Sequence, residues 1–225
     1  MSKIKSFDLP KNMRIGNYRV LEKIARGCEG EVYKVEEVPT EAVRALKLFR
    51  NSEFHSNLRT FTHIAWSYEQ LITSGHSLIY HHYGQIFLDD DRGATYLVFD
   101  YVDGKTIKDS PKTEKLFFDL VLAMASFHHL GYAVGDMGSL TNAMVRKIDN
   151  KVIIVDFEYG KPDKPNLNFK NDCITEIPKV AKAMFSANKP PAVKSFLKEL
   201  KAEKKITNKT LIKIIGSKIR RALIS

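Results

Sequence analysis

Apolar residues in the first half of the chain alternate with polar ones before they settle into helical steps. Positions 18–24 alternate weakly, a turn bearing Gly27 and Gly30 follows, and 31–38 alternates again. Positions 42–49 make a third apolar run, so the predicted order is strand, glycine turn, strand, loop, strand. The period then changes. Between 54 and 74, Leu58, Phe61, Ile64, Ala65, Tyr68, Leu71 and Ile72 recur at steps of three and four, which predicts a helix with one buried face. Runs at 84–88 and 94–100 flank Asp89-Asp90-Asp91-Arg92-Gly93, the composition of a hairpin turn.

Beyond residue 112 the pattern is mainly helical. Leu116, Phe117, Leu120, Val121, Met124 and Phe127 mark a helix over 113–129 that stops at Gly131. Runs at 143–145 and 152–155 around Asp149-Asn150 predict a small hairpin, and Pro162, Pro165, Asn166 and Asn168 predict a loop over 161–170. Helical spacing returns over 173–185, 192–200 and 209–224. Strands first and helices later, with a hairpin between, give an α+β chain of two lobes, 1–101 and 102–225.

Composition narrows the function classes. With 225 residues, 44% hydrophobic and 28% charged, the chain suits a packed core and excludes wholesale disorder. No apolar run reaches the ~18 residues of a membrane span, and the opening MSKIKSFDLPKN lacks a signal peptide's apolar stretch. Cys28 and Cys173 match no zinc or redox spacing, so a reducing cytoplasm is expected. The net charge of +10 is uneven: residues 189–225 hold eleven Lys and Arg against Glu199 and Glu203. The body is therefore near neutral and is not a nucleic-acid-coated surface. Within 210–224, Leu211, Ile212, Ile215, Ile219 and Leu223 form a stripe, with Lys213, Lys218, Arg220 and Arg221 around it. Two readings stay open there: a terminal helix packed on its lobe, or a surface for an anionic partner such as a membrane, polyphosphate or nucleic acid.

Candidate chemistry gathers in a few segments. In Ile24-Ala25-Arg26-Gly27-Cys28-Glu29-Gly30-Glu31-Val32, glycines spaced by three at a strand turn let the backbone approach a phosphate closely. Lys47 in Ala45-Leu46-Lys47 is either a snorkelling surface residue or a buried cation awaiting an anion. Glu69 sits on the apolar stripe of the next helix, and Lys47 is its candidate partner. Asp136 follows a helix and a small-residue turn, Asn142 precedes a strand, and Asp156 ends one. Three oxygen-bearing side chains at the ends of a short hairpin suit a hard cation such as Mg²⁺.

Taken in order, these segments resemble the motif set of the protein-kinase-like superfamily over 18–185. The glycine-rich loop reads Gly27-Cys28-Glu29-Gly30-Glu31-Val32, the strand lysine Ala45-Leu46-Lys47, and the helix glutamate Glu69. The catalytic pair reads Gly135-Asp136 with Asn142, and Asp-Phe-Gly reads Asp156-Phe157-Glu158. Tyr96-Leu97-Val98-Phe99-Asp100-Tyr101-Val102-Asp103-Gly104 is similar to the family's hinge. The resemblance implies ATP between the lobes. Ile24, Gly27, Gly30, Val32 and Ala45 would line its site, and Phe99 would guard a back pocket. Asp100 and Val102 would meet the base, and Lys47, positioned by Glu69, the α/β-phosphates. It further implies Asp136 as base, and Asn142 and Asp156 as ligands of Mg²⁺.

The departures qualify the activity. Ala25 replaces the loop's first glycine, Val134 and Gly135 replace the usual His-Arg, and Glu158 the last glycine. Asn142 lies six residues after Asp136, where five is usual. Asp172, matched to the family's structural Asp, follows Asp156 by only sixteen residues, and no Ala-Pro-Glu occurs. The Gly-Asp pair is similar to aminoglycoside phosphotransferases, RIO-type kinases and lipopolysaccharide sugar kinases. The implied function is a minimal Ser/Thr protein kinase acting on a protein hydroxyl. A kinase of a small molecule or lipopolysaccharide sugar is the alternative, and a pseudokinase binding module the third reading.

Overall fold

The computed structural model describes residues 6–27, 29–50, 58–89, 92–157 and 175–203, together with 211, 213, 214 and 216. The chain divides into two compact units, residues 1–69 with 78–102, and residues 70–77 with 103–225.

Among the described residues the first unit consists of a six-stranded antiparallel sheet and a helix. Its elements are β1 (Arg14–Ile15), β2 (Tyr18–Arg26), β3 (Gly30–Glu37), β4 (Ala42–Phe49), α1 (Leu58–Leu71), β5 (Tyr80–Asp89) and β6 (Arg92–Asp100). The strand order is β1-β2-β3-β4-β6-β5. Alternation along β4 separates the two faces. Leu46 and Leu48 are fully buried with Tyr33 and Val35, and with Leu9, Ile15, Tyr18 and Val20 they form a core to which Phe7 and Met13 add from the N-terminal segment. Burying each such side chain contributes roughly 1.5–3 kcal/mol, which fixes the register of the strand. The opposite face of β4 therefore presents Ala45 and Lys47. Helix α1 buries Ile64, Ala65, Tyr68 and Leu71 of the expected stripe, while Ile72, just past its end, is exposed, and the Tyr68 ring lies 4.5 Å from that of Phe99.

The second unit combines β7 (Gly104–Thr106), α2 (Glu114–His129), β8 (Ala143–Arg146), β9 (Val152–Ile154), α3 (Ile177–Phe185) and α4 (Pro191–Ala202). Its sheet has the order β7-β8-β9. Thr113 caps α2 by accepting the Leu116 N–H at 3.1 Å, and the chain leaves the helix at Gly131, whose φ is +86°. Phe117 and Phe118 of α2 meet Phe196 of α4 edge-on at 5.9 and 5.6 Å. Residues 70–77 belong here because β9 holds them: the Ile154 N–H donates to the His76 carbonyl at 2.8 Å, and His76 Nδ1 donates to the Val152 carbonyl at 2.7 Å.

Several boundaries differ from the sequence expectation. The helix expected over 54–74 is α1 followed by a 3₁₀ turn at Ile72–Ser74, with 51–57 outside the described residues. The strand expected at 84–88 starts earlier, at Tyr80. The loop at 161–170 lies outside the described residues, as does most of the helix at 209–224. Of the latter, Leu211 is buried and Lys213 exposed. Among the described residues no helix is long and apolar enough to cross a membrane.

Candidate active site

In the first unit, strand pairing puts four of the predicted nucleotide residues, Val32, Ala45, Lys47 and Phe99, on one face. Val32 stands opposite Lys47, Lys47 opposite Leu97, and Ala45 opposite Phe99, so all share the face turned away from Leu46 and Leu48. Val32, Ala45 and Lys47 are half-buried, in contrast to the sealed opposite face. Ile24 lies at a bulge of β2 and is exposed. The Gly27 N–H closes the turn onto the Gly30 carbonyl at 2.9 Å. The two glycines do different work. A Cβ on Gly30 would sit 2.0 Å from the Leu48 carbonyl, so only glycine fits against β4, whereas a Cβ on Gly27 would meet nothing within 4 Å.

Lys47 differs from expectation in its partner. Its side chain is 13% exposed, and Nζ lies 3.2 Å from Oε2 of Glu29 in the glycine turn. Glu69 is exposed near the end of α1 and has no ion pair among the described residues. The expected Lys47–Glu69 pair is therefore not formed. The physical reason is Glu69's position: the buried stripe of α1 runs through Ile64, Ala65, Tyr68 and Leu71, and Glu69 falls beside it on the solvent side.

The hinge-like segment is fixed by its side chains. Asp100 Oδ1 accepts from Arg44 Nη1 at 2.8 Å and from His81 Nε2 at 2.6 Å, and the Asp100 N–H donates to the Ile79 carbonyl at 3.0 Å. Phe99 and Val102 are buried, and the Val102 N–H has no backbone partner among the described residues.

In the second unit, Asp136, Asn142 and Asp156 are linked through backbone. Asn142 Nδ2 donates to the Asp136 carbonyl at 3.4 Å, and the Asn142 carbonyl accepts from the N–H groups of Val155 and Asp156 at 2.9 and 3.4 Å. The six-residue spacing is absorbed by the 3₁₀ turn Met137–Ser139 and by Leu140 at φ +59°. Gly135 and Asp136 are both left-handed, at φ +47° and +38°. The glycine of the Gly-Asp pair thus has a backbone cause, and Asp is among the few side chains that tolerate this region. The Asp136 side chain is exposed, while Val134 fills core and Phe157 packs edge-on against Phe127 and Tyr132 at 5.3 and 5.9 Å.

Glu176 is the residue sequence reasoning missed. It is buried, and Oε2 accepts the Met137 N–H at 3.1 Å while Oε1 accepts from Lys179 at 2.6 Å. It holds the turn that begins at Asp136. Asp172, expected in a structural role, lies outside the described residues, as does Glu158. Only burial could single Glu176 out, and nothing in the spacing of Thr175-Glu176-Ile177-Pro178 does so.

This fold recurs in solved structures. The kinase domain of Mycobacterium tuberculosis PknI is similar at 16% identity with a TM-score of 0.64, covering 95% of this chain and 99% of that one. The fold is that of a protein kinase domain. A point mutant of the PknI domain is similar at 15% identity and a TM-score of 0.64, covering 96% of this chain and all of that one. PpkA-294 in its apo form is similar at 19% identity and a TM-score of 0.52, covering 78% of this chain and 68% of that one. No protein-family model matches the sequence, and no curated protein does.

Asn142 and Asp156 carry an amide oxygen and a carboxylate on backbone joined by hydrogen bonds. Among the described residues no group of three His, Cys, Asp or Glu could hold a metal alone. An amide oxygen and one carboxylate are hard donors, and Mg²⁺ takes one or two carboxylates, keeps several waters and adds substrate phosphates. The residues present fit that demand.

Proposed function

We propose that this kinase-fold chain is an ATP- and Mg²⁺-dependent phosphotransferase whose first acceptor class is the Ser or Thr hydroxyl of a protein. The observation that carries this reading is the linkage of Asp136, Asn142 and Asp156 through one amide side chain and one carbonyl. Such spacing supports a base and two metal donors acting as a unit.

Each residue has a role within it. Lys47 meets the α/β-phosphates, and the Val102 N–H and Asp100 carbonyl meet the base. Asn142 and Asp156 would hold Mg²⁺, which would supply charge neutralisation on the phosphates. Asp136 accepts the proton of the acceptor hydroxyl as its oxygen bonds to the γ-phosphorus, and the bond to the β–γ bridging oxygen breaks to leave ADP. General-base help of this kind contributes roughly 10²–10⁴-fold. Glu69 has no Lys47 pair to support its positioning role.

A small-molecule or sugar acceptor is the second reading. It is favoured by the left-handed Gly135-Asp136 pair and by Glu176 following Asp156 after only twenty positions, a stretch too short for a long docking segment. Thermal melting with and without nucleotide tests the nucleotide part. A ligand present at 100 times its Kd adds about 2.7 kcal/mol of stability, and no shift at millimolar ATP with Mg²⁺ counts against the reading.

A further inference from the structure

The glycine turn is held from behind. Glu31 pairs in register with Leu48, which puts it on the sheet face opposite Lys47. Arg50, just past the end of β4, spans two parts of the turn with its planar fork: Nη1 donates to the Gly27 carbonyl at 2.7 Å and Nη2 to Glu31 Oε1 at 2.7 Å. The Arg50 N–H adds a bond to the Glu29 carbonyl at 2.8 Å.

Glu31 is fully buried, and its carboxylate is satisfied from several sides. Ser6 Oγ donates to it at 2.6 Å, the Tyr33 hydroxyl donates to it, and Lys23 Nζ lies 3.7 Å away. A desolvated carboxylate persists only with partners of this kind. The N-terminal segment completes the arrangement: the Leu9 N–H donates to the Tyr33 hydroxyl at 3.2 Å, and Asp8 pairs with Lys23. A buried, anchored carboxylate is thus the fixed point from which Arg50 reaches an exposed glycine. An untethered glycine would sample both signs of φ.

We propose that Arg50 and Glu31 are positioning residues for nucleotide phosphates, holding the Gly27–Gly30 turn so that its backbone faces the anion that Lys47 receives. The proposal rests on the nucleotide-binding reading above. It predicts a dependence on phosphate that a pair serving only to join β3 to β4 would not produce. Arg50→Lys keeps the charge but loses the planar fork that meets both oxygens, so it isolates the fork's share of the effect.

The test is calorimetric titration of the full chain with adenosine, ADP and ATP–Mg²⁺, for the native protein and for Arg50→Met, Arg50→Lys and Glu31→Gln, with circular dichroism melting of each. The expected result is that Arg50→Met lowers the ratio of ATP to adenosine affinity about tenfold, with adenosine affinity within about twofold of native. Arg50→Lys falls between. If the folded variants keep the native ratio, or lose both ligands in parallel, the pair is structural only and the proposal is overturned. If the native protein binds neither adenosine nor ATP, the nucleotide reading itself fails. Should Arg50→Met not fold, Arg50→Lys and Glu31→Gln report the same ratio.

Discussion

The Lys47 ammonium lies 3.2 Å from the Glu29 carboxylate, so the strand lysine is paired with an acid of the glycine turn. Phosphates arriving at Lys47 compete with that carboxylate. Glu29 is half exposed, and such pairs are worth about 0.2–1 kcal/mol. Glu29→Gln is therefore expected to tighten ATP binding by up to about fivefold in calorimetry, while Lys47→Met weakens it. Weaker binding in Glu29→Gln would mean that the carboxylate assists the nucleotide.

The two loop glycines separate stability from binding. Gly30→Ala forces a Cβ against the backbone of Leu48 and is expected to cost about 1–3 kcal/mol of unfolding free energy. Gly27→Ala meets open space and leaves stability within about 0.5 kcal/mol, so any loss of ATP affinity there reports the approach of phosphate to the turn. Urea melts of the two variants distinguish these roles. Equal destabilisation would contradict them.

Acid stability follows from Glu31. Burial acts to raise its pKa, but the hydrogen bonds from Ser6, Tyr33 and Arg50 outweigh it and hold the group at about 2. A carboxylate lowered from 4.5 to about 2 contributes on the order of 3 kcal/mol at neutral pH. That contribution is complete above the unfolded value and is lost as pH falls from about 4.5 toward about 2. The stability difference between native protein and Glu31→Gln is expected to be flat from about pH 6 to 8 and to shrink below about 4.5. A difference independent of pH in acid would show that Glu31 is not held ionised.

Much of this molecule is readable from its sequence, and the exceptions have physical causes. The span of β4 follows from its own side chains, because Leu46 and Leu48 alternate with Ala45 and Lys47. Strands β1 and β7 have two and three residues, too few for a period to register, and exist through pairing with β2 and β8. Asp136, Asn142 and Asp156 are legible as oxygen donors, but their linkage depends on Leu140 adopting a left-handed turn. The partner of Lys47 is misread because a glutamate beside an apolar stripe and one within it look alike in sequence. Arg50 and Glu176 give no local signal, since each acts on backbone far from it in the chain.

Glu176 offers a prediction of its own. Glu176→Ala leaves the buried Met137 N–H without its acceptor, at an expected cost of about 1–3 kcal/mol, and loosens the turn that carries Asp136. Turnover is expected to fall while ATP affinity stays near native. Native turnover in a folded Glu176→Ala protein would show that the Met137 bond plays no part in setting Asp136.

With Asp136 as the base, transfer of label from γ-labelled ATP in the presence of Mg²⁺ depends on its carboxylate. The native protein and Asp136→Asn are each incubated with generic protein and sugar acceptors, and ATP binding by both is measured in parallel. The predicted result is label transfer by the native protein to one acceptor class and near-complete loss of transfer in Asp136→Asn, with ATP affinity unchanged. Full transfer by Asp136→Asn, or ATP binding by the native protein with no transfer to any acceptor or to itself, would contradict it.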